Sequence, residues 1–446
     1  MDGNYHRAFK KFEHLGLAGT QPLGTLLKAF FSGGTPSKSH TEYWNGDIPW
    51  ASPKDFGPFV LTETEDLITA EAVANSAAKI VPKGSVLVVV RSGVLAHTLP
   101  VAITGRDLAI NQDLKALVCK DGIMPEFLAT YLLTFGSQIL PLVTKHGVTV
   151  QSVNTPEFRA LPVPILDSAA QQRLASRYST AIEAKKKKLA EADALLASID
   201  DYLLAELGIT VPPEPENTIK ERMFRTKASD LGGWRFDARV HQYDFNLHSA
   251  TYPNAKLGTI CAINPKTVFR GLTDTDDVSF VPMDAISDRL GIIEKPDTRV
   301  LAENVGYTSF REGDLLWAKI TPCMENGKSA VAEGLHREFG YGSTEYHVLR
   351  SPDGSLDMGY LHALLRMKRV RKAAVRFFTG ASGHQRVDAD FLRTLELPVP
   401  SLEVQKALAA EARARVARAV QLEEEANAEL ARAKADIEAI LLGDVA

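Results

Sequence analysis

Apolar positions along the chain keep two different rhythms, and the rhythm changes at matching places in each half. Up to about residue 165 the apolar runs are short and strand-sized, as in Gly84-Ser85-Val86-Leu87-Val88-Val89-Val90 and Leu114-Lys115-Ala116-Leu117-Val118. Turn formers separate them: Ser32-Gly33-Gly34-Thr35-Pro36, Trp44-Asn45-Gly46-Asp47 and Val81-Pro82-Lys83-Gly84. A helix is predicted over 125–140, with Pro125 suited to its first turn and Phe127, Leu128, Tyr131 and Leu132 on its apolar face. From about 168 to 207 the rhythm becomes sevenfold: Ala175, Ile182, Leu189, Leu196 and Leu203 recur at the spacing that keeps one seam facing a partner helix. Asp167 or Ser168 can cap this rod and Gly208 can end it. At 1.5 Å per residue its ~40 residues span roughly 60 Å. Val211-Pro212-Pro213-Glu214-Pro215-Glu216-Asn217 then reads as a stiffened linker.

The second half repeats this plan. Gly313-Asp314-Leu315-Leu316-Trp317-Ala318-Lys319 takes the place of Gly84 to Val90, and a helix at 357–378 parallels the one at 125–140. A second rod, 402–442, carries Ala412, Ala419, Ala426, Ala433 and Ile440 every seven residues, with Val416, Leu430 and Ile437 in the adjoining row. Literal echoes reinforce the repeat. Leu161-Pro162-Val163-Pro164 returns as Leu397-Pro398-Val399-Pro400, 236 residues on; Leu23-Gly24-Thr25 returns as Leu257-Gly258-Thr259 after 234, and Leu207-Gly208 as Leu442-Gly443 after 235. One module is written twice. The expected fold is α+β: two tandem mixed α/β domains, each followed by a long helix. An alanine seam allows close approach, so the two helices should pair as an antiparallel coiled coil with pseudo-two-fold symmetry, the globular domains at opposite ends. Two independent coiled coils seeking outside partners are the competing reading. The expected boundaries are 1–165, 166–210, 211–229 (the linker), 230–400 and 401–446. Duplex DNA is the commonest biological object with a matching symmetry.

Composition narrows the picture by exclusion. With 446 residues and 45% apolar content the chain can build more than one core. Three scattered cysteines, Cys119, Cys261 and Cys323, argue against zinc and against a disulfide framework. No signal-peptide core and no run of membrane-spanning length is present, so a soluble, cytoplasmic protein without membrane association is expected. The net charge of −4 does not advertise nucleic-acid binding, although phosphate contacts need only a local basic surface. Gly327-Lys328-Ser329 is not a phosphate loop, because Pro322 stands where that motif needs glycine. No amino-methyltransferase tetrapeptide, nucleophile elbow or HExxH appears, and the histidines His97, His146, His347 and His384 are scattered. A binding chain, with no catalytic site, metal or cofactor of its own, is the expectation.

Two features point to what is bound. Arg366, Lys368, Arg369, Arg371, Lys372 and Arg376 crowd one predicted helix, and Arg366, Arg369, Lys372 and Arg376 share a face by the three-and-four rule. Such a face suits phosphates, though a solvated helix face would look the same. A polar loop also precedes each Leu-Pro-Val-Pro: His146-Gly147-Val148-Thr149-Val150-Gln151-Ser152-Val153-Asn154, and Thr379-Gly380-Ala381-Ser382-Gly383-His384-Gln385-Arg386-Val387. Gln, Asn and Arg can make bidentate contacts with adenine or guanine edges in the major groove. Phosphate contacts are assigned to Lys54, Arg91, Lys319, Arg369 and Arg376, and base contacts to Gln151, Asn154, Gln385 and Arg386. Leu189, Leu196, Ala426 and Ala433 are assigned to rod pairing and docking.

The chain resembles the DNA-specificity subunits of type I restriction–modification systems. The residues that carry the likeness are Gly33-Gly34-Thr35-Pro36-Ser37, Tyr43-Trp44-Asn45-Gly46-Asp47-Ile48-Pro49-Trp50-Ala51-Ser52-Pro53-Lys54-Asp55, Gly313-Asp314-Leu315-Leu316, Asn326-Gly327-Lys328, and Thr379 to Val387 running into Leu397-Pro398-Val399-Pro400 and Gln405. The resemblance implies two target-recognition domains that each read one half of a split sequence in double-stranded DNA. It also implies paired helices that space them and dock two copies of a DNA methyltransferase subunit, with restriction or translocase subunits as further partners. S-adenosylmethionine, and ATP with Mg, would be used by those partners. A coiled-coil protein-interaction scaffold without DNA specificity is the alternative. Two departures stand out. Asp167-Ser168-Ala169-Ala170-Gln171 faces Glu403-Val404-Gln405 with a two-residue difference at the helix start, and the Gly-Thr-Pro-Ser loop has no clear copy near Ala262-Ile263-Asn264-Pro265-Lys266.

Overall fold

The computed structural model describes residues 16–145, 151–212, 218–220, 223, 225, 227, 246–381 and 385–443. Residues 213–217 of the expected linker and parts of both polar loops, 146–150 and 382–384, lie outside the described residues. The chain divides into two compact units, Met1–Leu189 with Glu423–Ala446, and Ala190–Leu422.

In the first unit a five-stranded sheet runs in the order Leu27–Phe31, Leu114–Cys119, Val86–Val89, Val101–Thr104, Val60–Leu61. A four-stranded sheet runs Asp66–Ile68, Trp44–Ala51, Leu108–Ile110, Lys79–Val81, with Trp44–Ala51 parallel to Leu108–Ile110. The apolar run at 86–89 is continuous because both of its faces are covered. Val86 and Val88 join the helix residues Phe127, Leu128 and Tyr131 in one core, while Leu87 and Val89 join Ala51, Leu108 and Ile110 in another.

The second unit repeats the order. Ala262–Ile263, Tyr346–Arg350, Leu315–Ala318 and Ser329–Val331 form one sheet. Asp297–Val300, Asp277–Val281, Phe339–Gly342 and Thr308–Arg311 form the other, again with one parallel pair, Asp277–Val281 beside Phe339–Gly342. Leu315 and Trp317 face the helices and Leu316 faces the second sheet.

Each helix expected as one piece is two. The first breaks at Phe135 into Pro125–Thr134 and Gly136–Val143, and the second at Met367 into Met358–Arg366 and Lys368–Val375. Met367 has ψ 134, an extended value that no continuing helix admits.

Hydrogen bonds fix the internal register at 234 where each unit's first strand meets the segment leading into its long helix. Leu23 N donates to Leu161 O as Leu257 N does to Leu395 O, and Ile165 N donates to Gly19 O as Val399 N does to Pro253 O. Thr25 and Thr259 hydroxyls close the same turn, onto Pro22 O and Lys256 O. The identical Leu-Pro-Val-Pro tetrapeptides are therefore two residues out of structural register: Leu161 matches Leu395, and Val163 matches Leu397. A slip of two leaves every side chain on its own face, so both versions bury the same positions. The supposed two-residue difference at the helix starts also vanishes. Gln171, 1% exposed, takes a hydrogen bond from Met124 N and donates to Gly122 O and Leu166 O. Gln405, 1% exposed, takes one from Asp357 N and donates to Ser355 O and Pro400 O. Asp167 caps Ala170 N where Ser401 caps Val404 N.

The long helices are Ser168–Glu206 and Leu402–Leu442. Gly208 and Gly443 follow them with φ +62° and +82°, the left-handed conformation that ends a helix at glycine. In the first unit Arg177 bonds Asp436, and Lys188 reaches Glu425 at 3.3 Å and Glu429 at 3.2 Å. In the second, Ala192 clusters with Ala419 and Leu422, and Arg415 donates to Ser198 Oγ at 2.8 Å while lying over the Tyr202 ring. Partner numbers fall as helix numbers rise, so within each unit the two segments run antiparallel. The seam departs from the strict sevenfold set in places. Ile440, expected in it, is 41% exposed, and Ile437 is buried instead. An α-helix drifts about 20° per heptad against a sevenfold repeat, enough over four heptads to carry Ile440 off the stripe that Ala412 begins. Leu189 and Leu196 are half-buried, whereas Ala181, Ala192, Ala426 and Ala433 are buried.

Candidate nucleic-acid interface

At one edge of each unit the polar loop returns to the end of the central apolar strand. In the first unit Arg91–Ser92 pairs with Gln151–Val153, with Gln151 opposite Ser92 and Ser152 opposite Arg91. Thr144–Lys145 completes a three-stranded ribbon, and Val153 N donates to Val90 O at 2.8 Å. In the second unit Arg386 bridges Ile320, Val387 N donates to Lys319 O at 2.8 Å, Thr321 N donates to Gln385 O at 3.0 Å, and Phe378–Thr379 pairs with Arg386–Val387. At a register of 234, Gln151 corresponds to Gln385, Ser152 to Arg386, Val153 to Val387 and Asn154 to Asp388. Asp388 caps the helix Ala389–Thr394 through its side chain; Asn154 precedes Thr155–Arg159 without a side-chain cap. The structure thus brings Arg91, Gln151 and Asn154 together at one edge, and Lys319, Gln385 and Arg386 together at the other.

Strand alternation sorts these residues further. Arg91 and Ser152 share one face, as do Ile320 and Arg386, while Gln151 and Gln385 point to the opposite face with the buried Val153 and Val387. Arg91 and Arg386 are exposed; Gln151, Asn154, Lys319 and Gln385 are half-buried.

Lys54 does not join this edge. It lies in the turn Pro53–Asp55 after a strand of the other sheet, 3.1 Å from Glu65 and 2.8 Å from Asp66. Those carboxylates, Asp66 foremost, raise its pKa. The basic helix face also differs from expectation. Because the helix breaks at Met367, Arg366 belongs to a separate segment and turns inward, donating to the carbonyls of Gly327, Asp288 and Arg289. Burial lowers its pKa to about 10. Arg371 is similarly engaged, with the carbonyls of Arg366 and Glu325. Arg369 and Lys372 lie on Lys368–Val375, and Arg376 caps its end. Lys328, rejected as a phosphate-loop lysine, spans two carbonyls, Met283 O and Ile286 O, each at 2.9 Å.

Three residues of the second edge escaped the sequence reading. Glu345 holds Arg386: Nε donates to Oε2 at 2.8 Å and Nη2 to Oε1 at 2.6 Å. That guanidinium holds the Glu345 carboxyl below its ordinary pKa. His347 is 5% exposed; its Nε2 donates to Val387 O at 2.9 Å and its Nδ1 accepts from Asn264 Nδ2 at 3.0 Å, which fixes a neutral tautomer. Burial lowers its pKa as well. Asn264 in turn sits at φ +54° and accepts from Val348 N, and so braces the strand. Only the placement of Glu345 just before an apolar strand, like Asp113 before Leu114–Cys119, could have signalled it in sequence. Among the described residues, no group of three or more His, Cys, Asp or Glu is placed to hold a metal ion, and no single helix is long and apolar enough to cross a membrane.

Comparison with known proteins agrees with this architecture. Residues 20–193 match the family model described as the type I restriction modification DNA specificity domain. Over 153 residues, 34% of this chain, the sequence is 38% identical to the Type I restriction enzyme EcoR124I/EcoR124II specificity subunit of Escherichia coli. Over 145 residues, 32% of this chain, it is 34% identical to the Type I restriction enzyme EcoEI specificity subunit of Escherichia coli. These matches span 38% and 24% of the relatives' own lengths. A solved chain described as concerning complex assembly and conformational transition of the type I R-M system superimposes with a TM-score of 0.51 at 15% identity, covering 95% of this chain and 97% of that one, and so shares its fold. It is over residues 20–193 that the chain is similar to the type I restriction modification DNA specificity domain.

Proposed function

We propose that this chain is the sequence-specific DNA-binding subunit of a type I restriction–modification complex, non-catalytic itself, and that it recognises a split target in the cytoplasm. Each edge would enter the major groove, with Arg91, Gln151 and Asn154 at one half-site and Lys319, Gln385 and Arg386 at the other. The long helices would act as a coiled-coil spacer and dock two methyltransferase subunits; roughly 60 Å of helix exceeds the ~34 Å of one DNA turn. Methyl transfer from S-adenosylmethionine, and any ATP- and Mg-dependent restriction, would belong to the partners. They would also supply positive surface that a chain of net charge −4 lacks.

The observation that carries this reading is the edge built twice from polar residues able to contact bases, in the same register. Its test is the methylome of cells carrying the chain with a type I methyltransferase subunit. A split motif that disappears when the chain is deleted is expected. Methylation indifferent to the chain, with DNA retention that does not depend on sequence, would refute it and favour the scaffold alternative.

A further inference from the structure

The two edges carry an acid at the same structural position. Lys319 N donates to Glu345 O at 2.9 Å as Val90 N donates to Asp113 O at 2.8 Å. Glu345 N donates to Ser343 Oγ at 3.2 Å, and Asp113 N donates to Asn111 Oδ1 at 3.0 Å. Each acid therefore opens the strand that pairs with the central apolar strand, beside the recognition edge. What differs is the residue across from it. In the second unit that is Arg386, gripped by Nε and Nη2; in the first, Ser152 stands in the equivalent place and the Asp113 carboxylate is bonded by Asn111 Nδ2 at 3.3 Å.

We propose that Glu345 is a positioning residue for specificity: by gripping one edge of the Arg386 guanidinium it fixes the plane and direction in which Arg386 meets a guanine of the second half-site. This rests on the function proposed above. Arginine is a planar fork whose discrimination depends on bidentate geometry at guanine O6 and N7. An arginine on a long, rotatable stem loses that geometry unless something pre-orders it. A bidentate carboxylate does so, and it also discourages the same arginine from settling on a phosphate. The first unit, with serine at this place, reads its half-site without such an arginine.

The test uses the full chain in complex with its methyltransferase, comparing Glu345→Gln, Arg386→Gln and the double variant against the cognate target and against targets changed at single positions. Glu345→Gln should cost about tenfold or more in discrimination at one G·C pair of the second half-site, leave the first half-site unaffected, and raise binding to random DNA by removing a negative charge. In the Arg386→Gln background the same substitution should change discrimination no further. Equal losses at every position, or additive effects in the double variant, would overturn the positioning role. If the wild-type complex itself shows no sequence preference, the proposed function fails, a result distinct from a normal wild type with an indifferent Glu345→Gln.

Discussion

Two residues of the second unit show how buried charge and titration report on this fold. Asp314 is 1% exposed and receives Arg350 twice, Nε to Oδ1 at 2.7 Å and Nη2 to Oδ2 at 2.6 Å, while Thr267 accepts from the same guanidinium. Removing one partner leaves the other charged and buried, so Asp314→Ala should cost about 3–5 kcal/mol in denaturant unfolding. A loss under 1 kcal/mol would mean that the pair is well solvated. His362 gives the pH counterpart. Its Nε2 donates to Ser329 O at 3.1 Å, and burial, aided by Arg366, lowers its pKa to about 3. The folded state thus holds the ring neutral where the unfolded chain protonates it. Its contribution is complete above about pH 6.5 and is lost as pH falls from there toward 3. The ring borders a cavity of about 980 Å³, so water softens the effect, and the slope should stay below about 1.4 kcal/mol per pH unit. His362→Gln should flatten that part of the stability profile. An unchanged slope would assign the acid sensitivity elsewhere.

Elements show what the sequence can and cannot disclose. Helix rods, their glycine ends and the buried strands at 86–89 and 315–318 were legible, because each rests on local periodicity or on a residue with one backbone role. The register was legible only to within two residues, since a two-residue slip preserves the inward pattern that made Leu-Pro-Val-Pro conspicuous. The breaks at Phe135 and Met367 were not legible: neither residue is Gly or Pro, and tertiary packing overrides helix propensity there. That same break misled the reading of Arg366, whose carbonyl partners at Asp288 and Arg289 lie 78 and 77 residues away in sequence. For the rods, burial of Ala426 and Ala433 leads to a direct expectation. Replacing both with Glu puts unpaired charge into the contact, and the variant should melt at a clearly lower temperature with loss of helical signal. Under the proposed function it should also blur the tolerated spacing between half-sites. Unchanged melting and spacing would show that the helices are not the ruler.

At the scale of the whole molecule, the repeat makes a prediction about independence. The Gln151 edge leans on the first unit's core and the Gln385 edge on the second unit's, each through its own buried valine, Val153 or Val387. Sites that share no partners usually add their effects to within a few tenths of a kcal/mol. Under the proposed function, Gln151→Ala should then relax discrimination in one half of the target only, and Gln385→Ala in the other half only, each by about 1–3 kcal/mol. The double variant should show the sum. Competition binding with targets altered in one half at a time measures this directly. Relaxation of both halves by a single substitution, or equal weakening on cognate and random DNA, would remove that glutamine from the base-reading set. The outcome also bears on how such a chain diverges. If the halves are energetically separate, substitutions at one edge can change one word of a split target while the repeated frame of strands, caps and paired helices continues to hold the other.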